Sequence, residues 1–333
     1  MPRFRTQATK DKFLNRMRKQ RLKSITVLPS LVTILNGVCG FTAIVFASKG
    51  ISAVDVASVS GAGPEGLRMS SAESFPYFAM SGYMILMAMI ADMLDGRLAR
   101  ISKSTSSFGG QLDSLCDIIS FGVAPAFLMV KLLEYELLGF SEMSVMLEHF
   151  LRRFFFIAAA AYVSCSAIRL ARFNVENEED ESSHMSFIGL PTPAAAGVII
   201  SLVIFHAEAL TQIADKNSSA YLIIANLICY SLPFLAIGLS ILMVGRIRYP
   251  HVLNQYIRGK KPFAHFIRVL VFLALIIWSR QAALVIIFCG FAASGFLKWF
   301  YYKVIKKHLV SNYLRGKGRV SRTAGFHPAD SGQ

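Results

Sequence analysis

From about residue 25 to about residue 302 the chain is a succession of apolar runs broken by short polar turns. Several runs approach or exceed the roughly 20 residues that a helix needs to cross a hydrocarbon core of about 30 Å. That leaves few folds open. In lipid every backbone N–H and C=O has to be satisfied internally, and a helix does so within its own segment. Hydrophobic residues make up 54% of the 333, and the mean hydropathy is +0.50, more apolar than a soluble domain of this length. The sequence therefore predicts an all-α protein, a polytopic transmembrane helical bundle.

About eight spans can be read, at about 25–48, 74–98, 109–134, 153–173, 192–210, 220–244, 266–279 and 282–302. The loop 49–73, rich in Ser, Gly and Ala, falls outside, and an acidic loop runs from Glu176 to Glu181. The net charge of +15 is concentrated before the first span (Arg3 to Lys23), after the last (Lys298 to Arg322) and in the loop from Arg246 to Lys261. Basic flanks mark the cytoplasmic side and attract anionic membrane lipids. Eight spans place both termini and every strongly basic loop there, so charge bias and span count agree. No recognition motif accompanies the charge, which argues against nucleic acid as a partner. The N-terminus reads as lacking a signal peptide, because a long basic stretch precedes its first apolar run. Residues 1–24 read as a basic interfacial segment, 25–250 as a six-span core, 251–303 as a transmembrane hairpin and 304–333 as a basic cytoplasmic tail.

The five cysteines lie in apolar runs without paired spacing and read as small buried hydrophobes, not as a disulfide frame or zinc site. The Met-rich run from Met80 to Met93 reads as helix packing, and His206 and Glu208 as a solvated edge at the outer end of the fifth span.

Four carboxylates stand out against this background. Asp92 and Asp95 close the second span, and Asp113 and Asp117 open the third. A carboxylate at membrane depth costs about 2.5–3.5 kcal/mol on insertion scales, so four of them demand a cation, a partner or a wet cavity. Spacings of three and four put each pair on one helix face. The short turn Ser102 to Ser107 makes the two helices antiparallel neighbours, so the four can converge. An all-oxygen anionic site suits Mg²⁺ or Mn²⁺, and four carboxylates suffice for two ions of the kind that assist displacement at phosphorus. Gly96 and Ala99 leave the helix backbone open to a phosphate-bearing ligand, and Arg100, one turn beyond Gly96, can hold a phosphate bidentately.

The pattern D-x2-D-G-x2-A-R-x8-G-x3-D-x3-D is matched at every defined position from Asp92 to Asp117. On it, the chain resembles the CDP-alcohol phosphatidyltransferases. Pro29 to Gly40, Arg169 to Asn174, Gly189 to Ala196 and Met243 to Pro250 make it similar to the bacterial membrane-integral (type II) phosphatidylserine synthases within that family. Ser30 departs from the pattern, where Asn is expected after the proline. The resemblance implies attack of an alcohol on the β-phosphorus of CDP-diacylglycerol, with CMP leaving. It implies that Asp92 and Asp113 bridge two metal ions, that Asp95 serves one and Asp117 the other, and that Asp117 is the general base. Gly96 and Arg100 would contact the CDP moiety, together with Ser106 or, failing that, Thr105. It further implies L-serine as acceptor, a homodimer, and a bacterial inner membrane location with the site facing the cytoplasm.

Some roles stay open at this level. Asn36 suits either a helix–helix hydrogen bond or a nucleotide-facing position. Arg169 and Arg172 suit the serine carboxylate or ordinary positive-inside anchoring, with Arg246 and Arg248 as competitors. The Gly189–Pro193 break is expected to leave free carbonyls at the pocket mouth. A sister transferase using inositol phosphate, glycerol phosphate or choline is the alternative enzyme. A divalent-cation transporter is the alternative class, and it leaves Gly96, Ala99 and Arg100 unexplained.

Overall fold

The computed structural model describes residues 30–50, 64–102, 107–138, 144–179, 189–209, 219–245, 247 and 279–301. Among these, secondary structure is helical throughout. The helices are α1 (Ser30–Gly50), α2 (Pro64–Ser102), α3 (Ser107–Asp117), α4 (Ala124–Leu138), α5 (Val145–Glu179), α6 (Thr192–Ile204), α7 (Ser219–Val244) and α8 (Arg280–Phe300). A π-helical turn, Ile118–Val123, joins α3 to α4, so that Phe108–Leu138 is one continuous apolar span, and a second, Phe205–Ala209, extends α6.

Among the described residues six helices are long and apolar enough to cross a membrane. The expected fifth span corresponds to the shorter apolar helix Thr192–Glu208, and the expected seventh, at 266–279, lies outside the described residues. So do the basic segment 1–24, Thr105, Ser106, Arg246, Arg248 and the tail 304–333.

The second apolar span, Phe75–Leu98, falls where it is expected, but α2 runs past it at its start and α5 runs past its expected span at both ends. Helix α2 starts at Pro64, inside the expected outer loop, because a proline in the first helical turn gives up no hydrogen bond. Helix α5 starts at Val145, not near 153. Ser144 accepts the Leu147 and Glu148 amides through its carbonyl, and Arg152 turns back onto Glu148 one turn earlier at 2.9 Å. That pair offsets the charge that reads as a span boundary. At its other end α5 continues to Glu179, taking in residues 176–179 of the expected acidic loop, since glutamate is a good helix former.

The burial pattern is that of a protein in lipid. On α1, Leu31, Ile34, Leu35, Val38 and Phe41 face outward at helical spacing, while Thr33 and Asn36 are buried. Polar groups inside and large apolar ones outside invert the order of a water-soluble helix. Within the bundle α5 packs along α7, α6 is covered by α2 and α8, and α4 lies against α5. The core they share includes Phe78, Ile85, Phe121, Leu128, Met129, Leu132, Tyr162, Ile199, Ile200 and Leu232.

The π turn after Asp117 has a local cause. Pro125 lacks the N–H that an α-helix would send to the Phe121 carbonyl. The buried Tyr162 hydroxyl of α5 donates to that carbonyl instead, at 3.1 Å. Gly122 lets the turn approach α5, where an added Cβ would sit 3.0 Å from Ser166 Oγ. One extra residue in a turn rotates the helix before it by about 100° relative to the helix after it. The face carrying Asp113 and Asp117 is set by this step.

Candidate active site

Helix α1 is drawn onto α3 by small residues. A Cβ at Gly37 would lie 2.9 Å from Cys116 Sγ, and one at Gly40 would lie 2.7 Å from the Ser120 Cα, so any side chain there would force the helices apart. The close approach creates three contacts. Ser120 Oγ donates to the Asn36 carbonyl at 2.9 Å, Asn36 Nδ2 donates to Asp117 Oδ1 at 2.8 Å, and Thr33 Oγ1 donates to Asp95 Oδ2. Asn36 is therefore both a helix–helix tie and a neighbour of the carboxylate cluster. Thr33 was not expected at the site. Its only sequence signal is its place one turn before Asn36 on the same face of α1.

Three of the four aspartates expected to converge do so, and the fourth, Asp95, accepts from Thr33 beside them. Carboxylate oxygens of Asp92, Asp113 and Asp117 lie within 4.8 Å of one another. Asp117 and Asp95 are buried, at 8% and 7% exposure, and Asp92 and Asp113 are half-buried. Among the described residues no Lys, Arg or His forms an ion pair with any of them. Two full negative charges 4.8 Å apart repel by about 3–4 kcal/mol at an effective dielectric of about 20. A cluster of three calls for positive charge. Its donors are all hard oxygens and gather from two helices, which fits a divalent cation of the Mg²⁺ or Mn²⁺ type. The Asn36 Oδ1, buried beside Asp117 and without a hydrogen-bond partner among the described residues, adds another oxygen there.

Around the cluster, Gly96 is exposed, and a Cβ built on it would meet nothing within 4 Å among the described residues. Ala99 and Arg100 continue α2 beyond it. Asn174 Nδ2 donates to Ser114 Oγ at 2.8 Å, bringing the end of α5 beside α3. Arg169 and Arg172 lie on this same end. Arg169 is buried and its Nε donates to the Leu190 carbonyl at 3.3 Å, and Arg172 Nη1 donates to the Val244 carbonyl at 3.1 Å. The break before α6 is fixed by Gly189, whose φ of 89° favours glycine, and by bonds from Gly189 N to Ile247 O and Leu190 N to Leu242 O. The Leu190 carbonyl, expected free at the pocket mouth, is thus held by Arg169.

Known proteins resemble the chain over the region that carries these residues. A family model described as CDP-alcohol phosphatidyltransferase matches residues 26–232. The chain belongs to the CDP-alcohol phosphatidyltransferase family. The matched region of this CDP-alcohol phosphatidyltransferase contains α1 to α6 and the first half of α7, and with them every aspartate of the cluster. The chain is 32% identical over 227 residues to a CDP-diacylglycerol–serine O-phosphatidyltransferase of Helicobacter pylori, covering 68% of this chain and 82% of that one. Proteins of the same name from Methanocaldococcus jannaschii (32% over 172 residues, 52% of this chain and 64% of that one) and Saccharomyces cerevisiae (32% over 177 residues, 51% of each) are also similar. CDP-alcohol phosphatidyltransferases depend on divalent metal, in keeping with the donor set described above.

The far end of the bundle corrects one expectation. His206 and Glu208 are not a solvated edge. His206 is 2% exposed, and Glu208 accepts from Tyr83 Oη and Gln281 Nε2, each at 2.8 Å. Aromatic side chains of α2 and the α8 terminus close over a position that sequence hydropathy places at the water boundary.

Proposed function

We propose that the protein transfers the phosphatidyl group of CDP-diacylglycerol to L-serine, yielding phosphatidylserine and CMP. The reading is supported chiefly by the meeting of Asp92, Asp113 and Asp117 oxygens within 4.8 Å, in a chain similar to proteins named for that reaction. Asp92 and Asp113 would be shared by two Mg²⁺ or Mn²⁺ ions, with Asp95 holding one and Asp117 the other. The bound ions supply charge neutralisation at the pyrophosphate and at the departing CMP.

The chain's own groups do the rest. Asp117 takes the seryl hydroxyl proton, and Asn36 fixes the carboxylate that receives it. The hydroxyl oxygen forms a bond to the β-phosphorus as the bond from that phosphorus to the CMP oxygen breaks, and CMP leaves with the electron pair. A carboxylate is a weak base toward an alcohol, so proton removal has to accompany bond formation. Thr33 positions Asp95. Gly96 and Ala99 admit the CDP moiety along α2, where Arg100 and Ser106, with Thr105 as the alternative hydroxyl, contact it. Arg169 and Arg172, each with one N–H anchored on a backbone carbonyl, offer guanidinium donors to the serine carboxylate. The acyl chains lie against the apolar outer faces of the helices.

In this reading the six-span core at 25–250 carries the reaction, 251–303 and 304–333 are accessory, the site faces the cytoplasm of a bacterial inner membrane, and two chains form a homodimer. Purified protein given CDP-diacylglycerol, radiolabelled L-serine and Mn²⁺ or Mg²⁺ should release CMP and label phosphatidylserine. CMP release that ignores serine and depends on inositol phosphate, glycerol phosphate or choline would assign a different acceptor. Cation uptake into proteoliposomes without liponucleotide would remove the enzyme reading.

A further inference from the structure

A second cluster occupies the other end of the bundle, and phosphatidyl transfer does not use it. Glu136 stands near the end of α4, His206 lies in the π turn Phe205–Ala209, and Cys229 lies in the first half of α7. Glu136 lies beyond Asp117 by roughly 28 Å of helix at about 1.5 Å per residue. One ligand atom from each of the three lies within 4.8 Å of the other two. His206 and Cys229 are buried, and the Phe75 ring closes over the imidazole at 5.7 Å.

The spacing suits a shared ion better than hydrogen bonds. His206 Nε2 is 3.5 Å from Glu136 Oε1 and 3.5 Å from Cys229 Sγ. An N–H···O bond is about 2.9–3.0 Å long, and Nε2 carries either one proton or one lone pair, so it cannot serve both neighbours. A tetrahedral ion with nitrogen and oxygen at about 2.0–2.2 Å and sulfur at about 2.3 Å separates those ligands by about 3.4–3.6 Å. Among the described residues the buried Nδ1 has no partner, so no hydrogen bond fixes the tautomer, and a proton on Nδ1 leaves the Nε2 lone pair facing the cluster. A π turn at His206 is itself a common mark of a functional position.

We propose that Glu136, His206 and Cys229 bind one zinc-class divalent cation that clips α4, the π turn after α6, and α7 together. One thiolate, one imidazole and one carboxylate form a borderline-soft set, unlike the all-oxygen aspartates, and select Zn²⁺ over Mg²⁺ or Mn²⁺. The Cys229 thiol gives its proton to solvent on binding, and the fourth position falls to water or the second Glu136 oxygen. The cysteines carry no zinc spacing in the sequence because the three ligands come from three separate helices.

The full chain in detergent, with excess Mg²⁺ present, is titrated with Co²⁺ as an optical probe and then with Zn²⁺. One equivalent of Co²⁺ should give a thiolate-to-cobalt charge-transfer band that Zn²⁺ abolishes. The band should be lost in Cys229→Ser and in His206→Gln, and kept in Cys116→Ser. Zinc-edge X-ray absorption of the wild-type chain, which needs no variant to fold, should show one sulfur at about 2.3 Å with nitrogen or oxygen at about 2.0–2.1 Å. A wild-type chain with no such band, a zinc shell without sulfur, or a band that survives in a folded Cys229→Ser protein would overturn the assignment.

Discussion

At one end of the bundle three carboxylates lie within 4.8 Å of one another with no counter-cation among the described side chains, and at the other a carboxylate, an imidazole and a thiol share the same spacing. The first group is built by two helices consecutive in the chain, α2 ending at Ser102 and α3 starting at Ser107, with α1 laid across them by Gly37 and Gly40. The second gathers from positions far apart in the chain and is held by the packing of α4, α6 and α7. Equal spacing with different donor atoms teaches that donor type, not proximity alone, sets what each end can hold. Half-open carboxylates suit a substrate phosphate bridged by hard cations. A mixed carboxylate, imidazole and thiolate set suits a permanent clip.

The contrast can be broken most forcefully at Asp117. Asp117→Asn should lower kcat by about 10²–10⁴ while CDP-diacylglycerol binding changes little, read by CMP release and by equilibrium binding. Near-normal turnover would take Asp117 out of the base role. Asn36→Ala, which removes the bond to Asp117, should lower kcat by about 10–100-fold with the liponucleotide KM held, in line with a hydrogen bond to a charged group. Arg172→Ala should raise the serine KM by about tenfold and leave that of CDP-diacylglycerol nearly unchanged, since one guanidinium contact is worth about 1.5–3 kcal/mol. Equal effects on both substrates would make Arg172 a structural tie to Val244. The glycines sharpen the comparison further. Gly40→Ala drives a methyl group into Ser120 and should cost about 1–3 kcal/mol of stability. Gly96→Ala meets no neighbour within 4 Å and should leave the thermal midpoint alone while raising the KM for CDP-diacylglycerol. A matching loss of stability at both would remove the distinction between a packing glycine and a substrate-facing one.

Much of the aspartate end is legible in the sequence because its determinants are local. Helical spacing pairs the carboxylates, and the short turn between α2 and α3 brings the pairs together. Thr33 escapes because a threonine in an apolar run looks like any other, and only the approach of Gly37 and Gly40 aims it at Asp95. The start of α5 at Val145 escapes because Arg152 and Arg153 look like a boundary until Glu148 is paired with Arg152. The opposite end is nearly silent. His206 reads as solvated by position along its span, and only tertiary packing by α2, α4 and α7 buries it. The π turn at Ile118–Val123 lies between these cases, since Pro125 is visible but its replacement donor, Tyr162, is not.

The most direct measurement is a manganese titration of the full chain monitored by electron paramagnetic resonance, with CDP-diacylglycerol present. Two Mn²⁺ per chain are expected, spin-coupled through shared carboxylates, with coupling lost in Asp113→Asn and the manganese count unchanged in Cys229→Ser. Two uncoupled ions, or binding that Asp113→Asn leaves intact, would contradict a phosphotransfer site built on these aspartates.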